Sequence, residues 1–153
     1  MRAWILAIFM FLASACAAQD KVSISVTGQY GNSGQTGVLL EIPFGHWEII
    51  GEASSNTKYG ASATAAGAFW LNDRVAVWGG VDTSSGYAHD VFAGSVFAGK
   101  RWTTFLAYYP QARGATIYQE FEVHPKFWVG FYGGYLHGAM ASATLRYELW
   151  EKR

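Results

Sequence analysis

Turn-forming residues recur at a nearly even spacing along this chain. Gly45-His46, Asn72-Asp73, Lys100-Arg101 and His124-Pro125 follow one another at intervals of roughly 25 to 28 residues. Between these turns lie more polar breaks, at residues 31–35, 54–58, 83–89, 110–114 and 137–138. A repeat of about 26 residues with two breaks has the length of one β-hairpin whose strands hold about ten residues each. The spacing predicts ten antiparallel strands arranged up and down. Eight strands are the alternative if two of the breaks are bulges.

The composition indicates where such strands would lie. Charged residues make up 14% of the chain and hydrophobic residues 51%, whereas a soluble domain has about 25% charged residues. No apolar run after the N-terminus reaches about 18 residues, which excludes membrane-spanning helices. The formal net charge is zero and no basic cluster is present, so nucleic acid is not an expected partner. Few charges without a long apolar run predict a transmembrane β-barrel.

The N-terminus has the pattern of an export signal. Arg2 precedes an apolar segment at 3–12, and small residues follow at 13–18. We therefore expect residues 1–18 to be a cleaved signal peptide and 19–153 to form one barrel domain. Cys16 is the one cysteine of the chain, and its lipidation stays open. Without a cysteine, the mature domain would contain no disulfide.

Alternation along the strands predicts which side chains would face lipid. In the last strand, Leu145, Tyr147 and Leu149 share one face, and Arg146 and Glu148 share the other. If the apolar face points outward, nine ionisable groups point inward: Glu41, Glu48, Glu52, Arg74, Asp82, Glu120, Glu122, Arg146 and Glu148. A water-filled lumen accommodates such groups, whereas a dry core would not. The opposite sidedness, a soluble exported β-barrel that binds an apolar ligand, remains an alternative. Segments 91–98 and 102–109 are apolar on both faces and give no assignment.

Aromatic residues beside the short turns predict an interfacial girdle. Rings at a membrane surface typically form such a belt on a transmembrane barrel. The expected girdle consists of Phe44, Trp47, Phe69, Trp70, Phe97, Trp102, Phe127, Trp128 and Trp150. The polar breaks are longer than the short turns, which predicts that the turns face the periplasm and the loops face outward.

Taken together, the strand spacing, the alternation and the aromatic belt resemble the small Gram-negative outer-membrane β-barrel proteins of the eight- to ten-strand class. The resemblance covers nearly all of residues 20–150 and is architectural. It implies insertion into the outer membrane, with the lipid bilayer and the outer-membrane insertion machinery as partners. Members of this class serve as adhesins, membrane-stabilising proteins, narrow pores or lipid-modifying enzymes. Their usual aromatic C-terminus is extended here by Glu151-Lys152-Arg153.

The sequence offers little conventional chemistry. The four histidines lack the spacing of metal ligands, so we predict no metal, no cofactor and no catalytic residue. The longest predicted loop, 83–90, holds His89 and Asp90 beside serines, which leaves an outer-membrane hydrolase of lipid or peptide as an alternative function.

The inward carboxylates allow two interpretations. They form either a closed structural network with the arginines or a narrow cation-favouring pore. The leading prediction is therefore a non-enzymatic barrel with a structural or surface-exposed role. Small outward residues also predict a weak homo-oligomer; these residues are Gly51, Ala53, Ala61, Ala63, Ala65 and Gly67.

Overall fold

The computed structural model describes most of the predicted barrel domain. The described residues are 22–31, 34–57, 60–84, 87–136 and 138–152. The predicted signal peptide, residues 1–18 with Cys16, lies outside them. Among the described residues, no helix is long and apolar enough to cross a membrane.

Ten β-strands account for nearly all of the described chain. They are β1 (Val22–Gly31), β2 (Gln35–Phe44), β3 (Trp47–Asn56), β4 (Gly60–Asn72), β5 (Val75–Ser84), β6 (Tyr87–Ala98), β7 (Trp102–Tyr109), β8 (Gly114–His124), β9 (Phe127–Tyr135) and β10 (Ala139–Lys152). Each strand pairs antiparallel with the next, and β1 pairs with β10 to close the barrel. The predicted ten-strand, up-and-down antiparallel barrel is confirmed, and the eight-strand alternative is wrong.

The connections follow from local turn chemistry. Gly45 adopts a positive φ of 60° between β2 and β3, a conformation that costs glycine little. Between β4 and β5, the Asn72 side chain accepts hydrogen bonds from the backbone N–H groups of Arg74 and Val75, at 2.9 and 3.1 Å. Such a side-chain bond substitutes for a backbone turn. We call this end of the barrel the turn end and the opposite end the loop end.

The connection between β5 and β6, at the loop end, is shorter than the sequence predicts. Between Ser84 and Tyr87 only two residues separate β5 from β6, so the expected long loop at 83–90 does not exist. His89 and Asp90 lie within β6 instead. Inter-strand hydrogen bonding continues through the polar residues that had indicated a break, because strand pairing satisfies their backbone groups. Loop length therefore gives little indication of orientation, and the periplasmic position of the turn end stays a prediction.

Side chains alternate between the lumen and the outer surface. Large apolar residues are exposed on the outside of most strands, including Val38, Val77, Val91, Leu106, Phe131, Leu145 and Leu149. The structure also gives the orientation of β6 and β7: Phe92 and Tyr109 are buried, whereas Val91 and Tyr108 are exposed. A soluble barrel with an apolar centre would have the reverse arrangement. The outer surface is thus suited to lipid.

Candidate functional site

The lumen contains a cavity of about 320 Å³. At the loop end it is lined by Gln35, Asn56 and Thr83, which lie at or next to the ends of their strands. Towards the turn end its lining extends to Arg146 and Glu120. The cavity therefore occupies the loop-end part of the lumen, and a layer of charged side chains forms its floor.

Arg146 is the centre of this floor. Its guanidinium donates to Glu41 Oε2 at 3.1 Å and to Glu120 Oε1 at 2.6 Å, so it joins β10 to β2 and β8 across the lumen. The guanidinium carbon also lies 4.8 Å from the ring centroid of Trp128, within the range of a cation–π contact. Hydroxyls complete the carboxylate contacts: Ser23 donates to Glu41 and Tyr118 donates to Glu120, both at 2.7 Å. We call Arg146, Glu41 and Glu120 the charged floor.

Bulky side chains lie beyond the charged floor, on its turn-end side. Trp70 Nε1 donates to Glu48 Oε2 at 3.0 Å. Neither residue lines the cavity, and neither does Trp128. Trp70 and Glu48 therefore lie in the lumen between the charged floor and the turn end, and Trp128 lies directly opposite Arg146.

Between the charged floor and the loop end, a row of inward-facing residues that is mostly acidic crosses the four strands β3 to β6. Glu52 on β3 is opposite Thr64 on β4, Thr64 is opposite Asp82 on β5, and Asp82 is opposite Asp90 on β6. The Thr64 hydroxyl donates to Asp82 at 2.5 Å, and Thr27 donates to Glu52 at 2.9 Å. Among the described residues, no lysine or arginine forms an ion pair with Glu52 or Asp82. The row makes the electrostatic potential negative in the part of the lumen between the charged floor and the loop end.

Aromatic rings line another side of the cavity, on β5 to β8. The ring of Trp78 meets Phe92 edge-on at 4.7 Å and Phe105 at 5.2 Å between centroids. Its Nε1 donates to the carbonyl of Leu106 at 2.8 Å, and a side chain in place of Gly94 would collide with that same carbonyl. We call Trp78, Phe92, Phe105, Tyr109 and Tyr118 the aromatic wall.

The structure places most of the predicted interior charges inside the barrel. Those that face inward are Glu41, Glu48, Glu52, Asp82, Glu120, Glu122, Arg146 and Glu148. Glu122 lies near the turn end, and its Oε2 is 3.7 Å from Nε of the exposed Arg101. Arg74 departs from the prediction, because it is exposed in the turn between β4 and β5. Hence, among the residues whose side chains are described, Arg146 is the one lysine or arginine that lies inside the barrel.

Two members of the predicted girdle lie inside the barrel instead. Trp70 and Trp128 contact Glu48 and Arg146 in the lumen. Adjacent residues of a strand face opposite sides, so in each of the pairs 69–70 and 127–128 only one ring can point outward. The prediction relied on distance from the turn and ignored this alternation. The remaining girdle residues face outward: Phe44, Trp47, Phe69, Phe97, Trp102, Phe127 and Trp150.

Sequence reasoning missed Asp90 and the aromatic wall. The polar residues at 83–90 place Asp90 in a predicted loop, although its spacing of two from Phe92 indicates that both share one face of a strand. The wall was missed because β6 and β7 are apolar on both faces. Position in the closed barrel, rather than any sequence pattern, makes one of those faces interior.

The hydrolase alternative finds no geometric support. His89 is exposed on the outer surface, whereas Asp90 is buried and lines the lumen. Their side chains point to opposite faces of β6, and a catalytic pair requires convergence. The small residues predicted to mediate self-association do lie together on the outside, where Gly51 is opposite Ala65 and Ala53 is opposite Ala63. Self-association through them stays a prediction.

Comparisons with known proteins agree on the architecture. No protein-family model matches the sequence, and no curated protein matches it. Among solved structures, the KdgM porin is similar with a TM-score of 0.53 at 11% identity, over 84% of this chain and 99% of that one. The KdgM porin in complex with disordered oligogalacturonate gives a TM-score of 0.53 at 10% identity, with the same coverage. Identity this low relates the folds alone, and it is the fold of the outer-membrane porin barrels that this chain shares.

Proposed function

We propose that this chain is an outer-membrane β-barrel whose lumen forms a narrow, cation-favouring passage, without enzymatic activity. The observation that carries the proposal is the charge of the cavity lining. Among the described residues that line the cavity, five carry carboxylates and Arg146 is the one basic residue; the carboxylates are Glu41, Glu52, Asp82, Asp90 and Glu120. Carboxylates that surround a lumen attract cations and repel anions.

The charged floor would set the rate of passage. Arg146 already binds Glu41 and Glu120, so a cation that enters from the loop end meets the carboxylates of Glu52 and Asp82 first and the paired arginine next. The field of a guanidinium opposes cations at close range. We therefore expect low conductance together with clear cation preference, as in a filter rather than an open pore.

The same charge argues against acidic sugars as solutes. Oligogalacturonate, present in a KdgM porin complex, carries carboxylates. In this lumen those groups would face the row of Glu52, Asp82 and Asp90. The carboxylates of the sugar and those of the lumen carry the same negative charge, so they would repel each other. This chain and that porin would thus share a scaffold and differ in the charge of the solute.

Selectivity can be measured in planar bilayers under a KCl gradient. The purified mature chain should give a reversal potential of the sign that indicates K⁺ preference. Because Glu52 and Asp82 face the lumen and no described lysine or arginine pairs with them, the E52Q/D82N variant should move the reversal potential towards zero. Asp73→Asn removes a carboxylate from the exposed turn between β4 and β5 and should leave the potential unchanged. An absence of conductance in all samples, or anion preference, would reject the passage.

A further inference from the structure

Two acidic residues lie directly opposite each other on neighbouring strands, in the part of the lumen nearer the loop end. Asp82 on β5 and Asp90 on β6 are register partners, and both line the cavity. Side chains at opposed positions of neighbouring strands have Cβ atoms about 4.5 to 5.5 Å apart, and like charges placed so are destabilising. Because both carboxylates line the cavity, they would attract a cation that enters it.

Aromatic rings adjoin this carboxylate pair. Tyr109 connects the two features, because its hydroxyl donates to Asp82 Oδ2 at 2.6 Å and its ring lies 5.4 Å from that of Phe92. Phe92 follows Asp90 by two residues on the inner face of β6 and packs edge-on against Trp78. The cavity thus presents negative charge beside several rings whose faces are electron-rich.

We propose that this part of the cavity binds an organic ammonium ion, with its cationic head between Asp82, Asp90 and the rings of Trp78, Phe92 and Tyr109. Cationic heads of this kind bind aromatic faces through the ring quadrupole, and nearby carboxylates add to the attraction. This inference rests on the proposed function, since it names the class of cation that the passage takes up.

The geometry favours an organic cation over a metal ion. Among the described residues, no group of three or more acidic, histidine or cysteine side chains is close enough to hold a metal ion. Two opposed carboxylates beside rings instead match a cation with a larger radius and an apolar surface. The volume of about 320 Å³ lies at the lower end of the range for small-molecule sites. Ligands of the size of choline fit this description.

Calorimetric titration of the full mature barrel in detergent micelles tests the proposal. Choline is the probe, and 3,3-dimethyl-1-butanol, its uncharged counterpart of nearly the same shape, is the control ligand. We expect choline to bind at least about tenfold more tightly than the alcohol, at constant ionic strength. Equal affinities would overturn the proposal, as would preferential binding of a neutral sugar such as glucose.

Two variants separate specific binding from general attraction of cations. Asp82→Asn removes the charge and keeps one oxygen that can accept from Tyr109 or from Thr64. Phe92→Leu removes a ring but no charge. Each should weaken choline binding by about tenfold or more. Glu48→Gln, which removes an interior carboxylate outside the cavity lining, should bind choline as the parent does. If Phe92→Leu leaves choline affinity unchanged, the carboxylates only concentrate cations and the site is refuted.

The titration tests the binding site, the bilayer recording tests the passage, and either proposal can be rejected without the other. Choline binding without measurable conductance would support the site and reject the passage. Cation-selective conductance without choline binding would reject the site and support the passage. Heat-modifiable gel mobility of each variant establishes that the barrel is folded before either measurement, and Asp90→Asn replaces Asp82→Asn if the latter does not fold.

Discussion

Replacing Leu145 with arginine should lower the free energy of unfolding by about 2 to 4 kcal/mol, the cost of a basic side chain on the lipid-facing surface near the bilayer midplane. Leu145 is 52% exposed on the outer face of β10, midway between the ends of that strand. In a membrane its surroundings are acyl chains, which cannot solvate a guanidinium. Unfolding by denaturant in lipid vesicles, followed by tryptophan fluorescence, measures the change.

Leu149→Arg is the matched control for this experiment. Leu149 is equally exposed on the same strand but lies near the turn end, where the bilayer gives way to headgroups and water. The cost there should be about 0 to 1 kcal/mol. If both variants cost the same small amount, or if the mature chain stays in solution without detergent, the outer surface faces water and the membrane assignment is wrong.

Replacing Arg146, which follows Leu145 in β10, with glutamine should lower the free energy of unfolding by about 3 to 5 kcal/mol. Arg146 faces the opposite side of the same strand, and its side chain is 11% exposed, against 4% for Glu120. Glutamine would leave Glu41 and Glu120 close together without a cation, in a layer with little access to water. The cost arises from the two carboxylates that remain buried, more than from the two bonds that are lost.

A triple variant and a surface variant test this explanation. R146Q/E41Q/E120Q removes the cation together with both buried carboxylates, so it should recover most of the lost stability. Arg101→Gln breaks the exposed pair with Glu122 at 3.7 Å and should cost less than about 1 kcal/mol. If the triple variant is as unstable as Arg146→Gln alone, repulsion between the carboxylates is not the cause.

Much of the barrel architecture can be predicted from the sequence. The even spacing of turns predicts ten strands, because each hairpin must reverse after about ten residues to cross the apolar band. Alternation in β3 and β10 predicts the sidedness of Glu48, Glu52, Arg146 and Leu145, since successive side chains of a strand face opposite sides. These features depend on neighbouring residues only, so a single sequence reveals them.

The candidate site could be predicted only in part. Glu52, Asp82 and Glu120 were recognised as interior charges, but the contacts that define the site join distant segments. Arg146 meets Glu120 across 26 residues of sequence through the neighbouring strand β9, and it meets Glu41 across 105 residues only because β1 closes on β10. Three residues of the aromatic wall, Phe92, Phe105 and Tyr109, have no periodic signal because β6 and β7 are apolar on both faces.

Hydrophobic periodicity and turn residues act locally, so the amino-acid sequence alone predicts the class of fold, the strand number and which side of most strands is apolar. The tertiary structure alone decided that Trp70 and Trp128 lie inside, that Arg74 lies outside and that Asp90 opposes Asp82. Register and closure determine which inward side chains meet, and they depend on the pairing of all ten strands at once.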